Sequence, residues 1–327
     1  MNGFLNILKP PGMTSAAVVA VVRRLTGEKR VGHAGTLDPE AAGVLPIMVG
    51  KAARLFDYLV DKEKCYVAEV AFGQATDTQD ATGRVVAAGD HYPIRQQVEE
   101  AALHLTGDIW QRPSVYSAIK QDGVAMYERA RRGEDVEVPL RQVHVESIRI
   151  MQEMPNHGFL MTVHCGRGTY IRSICHDMGE MLGCPAHMRF LLRSQSGAFD
   201  LSTAMTLEEV EALAASGELS RHLIPLDAPL AHMPQVNVPP QLDKQVRNGV
   251  KLPLLNRRLA EGEAARVYMN GQFWGIVVRE DKLLTWRAQI APETEGVGDY
   301  GVTRILRVRA CWCWVCLTAC TGGIRRC

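Results

Sequence analysis

The sequence predicts an α+β body over residues 1–230, followed by a small β-rich domain over 231–310. Three observations carry this. Strand-like and helix-like segments interleave along the body, and two period-two stretches, 143–151 and 158–165, flank the turn Pro155-Asn156-His157-Gly158. Four prolines, Pro229, Pro234, Pro239 and Pro240, cluster where the character of the chain changes. Beyond them, RVYMNGQFWGIVV (266–278) is centred on Asn270-Gly271, the strongest short hairpin signal.

The elements follow in order. FLNILK (4–9) reads as a strand stopped by Pro10-Pro11-Gly12. Thr14 or Ser15 caps a helix with apolar positions Val18, Val21, Val22 and Leu25, ended by Gly27. A loop, Val31 to Pro39, comes next. CYVAEVAF (65–72) and Arg84 to Ala87 read as strands, 95–105 as a helix, and 124–132 as a basic helix stopped by Gly133. The loop Gly166-Arg167-Gly168 opens a helix from Tyr170 to Leu182, with Ile171, Ile174, Met178 and Leu182 on its apolar stripe. A further helix is expected over 206–216.

The composition, 46% hydrophobic and 22% charged over 327 residues, is that of a globular chain with a sizeable core. Net charge is +1, so a nucleic-acid partner would have to be met by local basic patches. Residues 1–60 carry seven Lys/Arg against four acids, which also fits a solvated helix face. No signal peptide is read, and no stretch approaches the roughly 18 apolar residues of a membrane span. These features predict a cytoplasmic protein. Of nine cysteines, five lie in the last 17 residues. The other four are scattered, as reduced thiols would be. The tail 311–327 is expected to be atypical and disordered, since Cys313 and Cys316 lack a matching pair for a metal.

Asp38 before Pro39 fits a helix N-cap opening the segment PEAAGVLPI. The same loop carries Gly32 and Gly35, which permit close approach of a bulky ligand, and the polar groups of His33 and Thr36. A carboxylate on such a loop can act as a nucleophile if a neighbouring cation keeps it ionised. Thr76 to Asp80 lacks the acidic spacing and the twelfth-position glutamate of a calcium loop. Gly166 to Ile171 lacks the third glycine of a dinucleotide loop. Arg172 falls in the first turn of its helix, where the dipole disfavours a cation, and that local conflict hints at a role. Cys184 and His187 have metal-like spacing but no second pair.

GHAGTLDPEAAGVLPI (32–47) resembles the signature of the TruB family of tRNA pseudouridine synthases. GTYIR (168–172) and TDTQD (76–80) resemble further segments of that family. The similarity runs to about residue 230, with a weaker likeness of 235–310 to its PUA-like RNA-binding domain. It implies a large mixed, mostly antiparallel sheet flanked by helices. It implies isomerisation of the T-loop uridine of tRNA to pseudouridine, with Asp38 as nucleophile, Tyr66 stacked on the flipped base and Arg172 paired with Asp38. His33, Tyr170, Leu191, Asp80 and Lys120 are assigned to substrate binding or to framing the site. The likeness implies action on the T arm of tRNA by a monomer, without cofactor, metal or protein partner. A tRNA-folding chaperone with little catalysis, and a guide-RNA-dependent synthase, are the competing readings.

Overall fold

The computed structural model describes residues 1–60, 62–114, 120–121, 124–125, 132 and 138–291. A mixed nine-stranded sheet forms the body. Its main path runs Gly3–Lys9, Ala42–Val49, Ala186–Ser196, Lys64–Phe72, Gly158–Cys165, Arg141–Met154 and Gly107–Gln111. Neighbours along this path are antiparallel except Ala42–Val49 and Ala186–Ser196, which pair in parallel through Leu192↔Ala42 and Arg193↔Gly43. The long apolar runs explain the order: the central strands are buried on both faces, as strands without simple alternation should be.

Helices cover one face. Ser15–Thr26 buries Val18, Val19 and Val22, and Arg95–His104 buries Val98, Ala101 and Ala102. Ile171–Met181 buries Ile174 and Met178 against Tyr66, Ala68 and Val163 of the sheet. Thr14 caps the first helix by accepting from the Ala17 amide at 3.0 Å, and Gly27 closes it in the left-handed region at φ 65°. Leu207–Ala215 opens with a Thr206/Glu209 capping box.

The C-terminal strands form a five-stranded sheet. Its Ala264–Met269 and Gln272–Glu280 hairpin turns at Asn270 and Gly271, both at positive φ, as the sequence predicted. Ile276, Ala288 and Ile290 of this part share a core with Phe4, Val44, Leu55 and Leu230 of the body. Among the described residues no helix is long and apolar enough to cross a membrane.

Three expectations need correction or limits. PEAAGVLPI does not open a helix at Asp38. After a turn at Pro39 and Glu40 it becomes the strand Ala42–Val49, because seven of its eight residues are buried between Gly3–Lys9 and its other neighbours. Ala186–Ser196, a central strand, was not foreseen. Val124–Ala125 pairs with Lys120–Gln121 as a short hairpin instead of starting a helix, and 126–131 lies outside the described residues. The cysteine-rich tail also lies outside them.

Candidate active site

The loop bearing Asp38 hangs between the strands Val31–His33 and Ala42–Val49 and is held from three sides. Buried Ser15 donates to the Leu37 carbonyl at 3.1 Å and accepts from the Leu37 amide at 2.9 Å. Buried Lys9 donates to the carbonyls of Pro10, Pro39 and Ala41 at 2.7, 2.8 and 2.7 Å. Burial pulls the Lys9 ammonium down to about 8, while Glu40 and Asp38 favour its charge. Arg193 donates to the carbonyls of Val44, Thr36 and Gly35 at 2.8, 3.4 and 3.0 Å. A buried cation is costly unless its donors are used, so this cage of carbonyls fixes the loop.

Arg172, 5% exposed, reaches back from the start of its helix to Asp38. Its Nε lies 3.0 Å from Oδ2, and a terminal nitrogen donates to Oδ1 at 3.3 Å. This is the two-pronged geometry that suits arginine and carboxylate. The other terminal nitrogen donates to the Thr78 carbonyl at 3.1 Å and lies 3.7 Å from Asp80 Oδ2. The conflict with the helix dipole is thereby resolved by two carboxylates. Burial pushes the Asp38 carboxyl above the usual range, and Arg172 opposes that shift by favouring the charged form. The Asp38 side chain keeps about a third of its surface open, at 36%.

Asp38, Tyr66, Tyr170, Arg172 and Leu191 come together on one cleft of roughly 350 Å³, joined by Lys64. That is the size of a site for one small ligand or nucleoside. Tyr66 comes from Lys64–Phe72 and Leu191 from the neighbouring strand, and both are 7% exposed. Burial raises the Tyr66 phenol, and Arg193 pulls it partly back. Tyr170 is clamped by buried Gln111, which accepts from the Tyr170 amide at 3.0 Å and donates to its carbonyl at 3.2 Å.

The other sequence-predicted residues sit differently. Asp80 does not line the cleft. It stands behind Arg172, with Oδ1 accepting from Thr78 Oγ1, the Thr82 amide and Thr82 Oγ1 at 2.8, 2.9 and 2.6 Å. His33 pairs with Ile47 at the end of its strand, outside the cleft lining. Its Nδ1 is buried without a partner among the described residues, and burial, with Arg193, holds its pKa below the usual value. Lys120 lies in a two-residue strand, and its side chain falls outside the described residues. Cys184 donates to the His91 carbonyl at 2.7 Å, and the His187 ring bonds the Gln74 carbonyl at 2.9 Å.

Sequence reasoning missed Lys9, Ser15, Gln111 and Arg193 as parts of the site. Their one sequence signal was polarity inside segments that otherwise bury apolar side chains.

The chain matches the family models described as TruB family pseudouridylate synthase (N terminal domain) over residues 23–171 and tRNA pseudouridylate synthase B C-terminal domain over 172–231. Among curated proteins it is 43% identical over 290 residues to the tRNA pseudouridine synthase B of Alkaliphilus oremlandii, covering 86% of this chain and 95% of that one. It is 43% identical over 258 residues to the protein of that name from Bacillus subtilis, covering 77% and 84%. Among solved structures, a Cbf5-Nop10-Gar1 complex matches with TM-score 0.67 and 25% identity over 89% of this chain and 84% of that one. An H/ACA RNP bound to a substrate RNA containing 2'-deoxyuridine matches at TM-score 0.68 and 22% identity over 89% and 86%, which speaks for the fold.

Proposed function

The chain belongs to the TruB family and is a tRNA pseudouridine synthase, and from that premise we propose that it isomerises the T-loop uridine with Asp38 as nucleophile. The observation that carries this reading is the two-pronged Arg172–Asp38 pairing at the wall of a cleft that also contains Tyr66. The net reaction breaks the N1–C1′ bond, forms C5–C1′ and moves the C5 proton to N1. Bonds and electrons balance within the nucleotide, so neither oxidant nor ATP is needed. The target lies in a folded loop and must be flipped out to enter the cleft.

Asp38 attacks either ribose C1′ or uracil C6. Arg172 orients it and stabilises its charge, and Asp80 holds Arg172 from behind. Tyr66 stacks on the uracil and assists removal of the C5 proton. Tyr170 and Leu191 complete the pocket walls, His33 engages loop nucleotides as a neutral imidazole, and Lys120 contacts RNA near the site. Arg23, Arg24 and Arg129 to Arg132 meet backbone phosphates. Arg24 would exchange its exposed pairing with Glu211 for one of these.

We divide the chain into a catalytic domain, 1–230, and a PUA-like RNA-binding domain, 231–310, and place it in the cytoplasm as a monomer acting on the T arm. Action without guide RNA or protein partner is favoured because the 43% identical relatives bear the tRNA enzyme's name, while the match solved with Nop10 and Gar1 stands at 25%. The test is to incubate purified chain with an unmodified tRNA transcript, without cofactor or guide RNA, and map pseudouridine. Conversion at the T-loop uridine is expected. Asp38→Asn should lower it by about three orders of magnitude or more while leaving tRNA affinity within a few-fold. Turnover retained by Asp38→Asn would sink the assignment, and tRNA binding without conversion by the parent chain would favour the chaperone reading.

A further inference from the structure

We propose that Arg193 is a positioning residue that sets the spacing between the Asp38 loop and the Tyr66 ring, so that nucleophile and stacking platform are held as one unit. The inference rests on the roles given above to Asp38 and Tyr66, and it adds a residue to which none of the sequence motifs assigns a part.

The geometry begins with register. On one side Arg193 pairs with Tyr66 in the antiparallel neighbour, and on the other with Gly43 in the parallel one. It therefore sits at the junction of the strand that carries Tyr66 and the strand that leaves the Asp38 loop. The junction is tight. A Cβ placed on Gly43, which has φ +115°, would stand 2.2 Å from the Arg193 carbonyl oxygen.

The side chain is 1% exposed and ranks among the largest fully buried ones. It donates to the carbonyls of Val44, Thr36 and Gly35, and two of these, Gly35 and Thr36, lie within three residues of Asp38. Among the described residues no carboxylate lies within ion-pair distance of it. A structural ion pair would have needed one carboxylate and no particular backbone. Here the fork geometry of a guanidinium is used to span a loop and a strand at once, which an ammonium cannot reproduce. The same guanidinium lines the cleft and acts on the Tyr66 phenol by a side-chain hydrogen bond and by its charge. A misplacement of even about 1 Å between reacting groups can cost on the order of 100-fold in rate.

The test uses the full chain with Arg193→Lys and Arg193→Gln. Three readouts are compared: tRNA dissociation constant, melting temperature, and single-turnover conversion at saturating tRNA. Arg189→Lys serves as control, because Arg189 is on the same strand but pairs with Glu69 outside the cleft. For Arg193→Lys the expected result is tRNA affinity within about 3-fold of the parent and a single-turnover rate lowered at least about 10-fold. Arg193→Gln should be slower still. In a Tyr66→Phe background the loss from Arg193→Lys should shrink, since two residues of one unit are not additive.

A folded Arg193→Lys with a rate within 3-fold of the parent overturns the proposal. So does a rate loss that tracks weakened tRNA binding, or one that adds fully to Tyr66→Phe. If Arg193→Gln fails to fold, the lysine variant still decides. Should Asp38→Asn keep turnover, the reading of the site itself fails. An inert Asp38→Asn beside a normal Arg193→Lys overturns only the positioning role.

Discussion

Replacing Arg172 by lysine isolates what the guanidinium does for Asp38. In the parent, Nε and one terminal nitrogen meet the two carboxylate oxygens at 3.0 and 3.3 Å, while the other terminal nitrogen holds the Thr78 carbonyl at 3.1 Å. Lysine keeps the charge but brings a single ammonium, which cannot bridge both oxygens and still reach Thr78. A hydrogen bond to a charged group contributes about 1.5–3 kcal/mol, so losing one or two at the proposed nucleophile costs roughly 2–4 kcal/mol. At about 1.4 kcal/mol per decade, the single-turnover rate should fall about 30- to 1,000-fold. The pH profile is an independent check. Burial already raises the Asp38 carboxyl, and Arg172 opposes it. Weakening that opposition lifts the folded-state pKa further, so less of the proposed nucleophile is ionised at a given pH. The acidic limb of the rate profile should move to higher pH, and the deficit should narrow as pH rises. Single-turnover conversion of a tRNA transcript at saturating enzyme, measured across the pH range, reads both effects. A rate within 3-fold of the parent with an unshifted acidic limb would refute the reasoning.

Other expectations are open to direct measurement. Tyr66→Phe should bind tRNA normally but lose about 100-fold in single-turnover rate, the scale of proton-transfer catalysis; unchanged kinetics would remove the proton from its role. Gly43→Ala places a Cβ 2.2 Å from the Arg193 carbonyl at φ +115° and should cost about 3 kcal/mol or more, seen as a fall of about 6–12 °C in melting temperature. Burial pushes half-buried Asp177 up to about 6, with His176 opposing and Glu180 adding to the shift. Its folded-state pKa is therefore raised, so its protonated form is favoured by folding, and stability is lost as pH rises from about 4 through 6. Asp177→Asn should remove about 1 kcal/mol of that loss after solvent screening, and the difference between the two melting curves against pH would be flat if Asp177 is uninvolved.

Local signals were strong where a residue's environment is set by its neighbours in sequence. The Thr14 cap, the Gly27 stop and the Asn270-Gly271 hairpin are all of this kind. Asp38, Tyr66, Tyr170, Arg172 and Leu191 were named from motifs, and the fold brings them to one cleft. Ala42–Val49 misled because an Asp-Pro pair before Glu40 and two alanines looks like a helix start. Burial between neighbouring strands outweighed that propensity. Ala186–Ser196 stayed hidden because His187, Arg189 and Arg193 interrupt its apolar run. Each finds its partner far along the chain, in the Gln74 carbonyl, Glu69 and the Asp38 loop. Lys9, Ser15 and Gln111 were illegible for the same reason, since apart from the Lys9 bond to Pro10 their bonds cross 22 to 59 residues. Asp80, assigned to substrate binding or to framing the site, stands beside Arg172 and outside the cleft lining.

The parallel join between Ala42–Val49 and Ala186–Ser196 has a consequence for how the chain is made. During synthesis the antiparallel pair of Gly3–Lys9 and Ala42–Val49 can zip up early, because both strands lie within the first 49 residues. The Lys64–Phe72 strand must wait with both edges bare until 158–165 and 186–196 leave the ribosome. Such delayed, long-range pairing slows folding and leaves apolar strand edges available to wrong partners. It also means that Asp38 receives its Arg172 and Arg193 contacts only after more than half of the chain has been translated. A nascent chain shorter than that would expose the motif loop without the means to use it, so competence to modify tRNA arrives late and all at once.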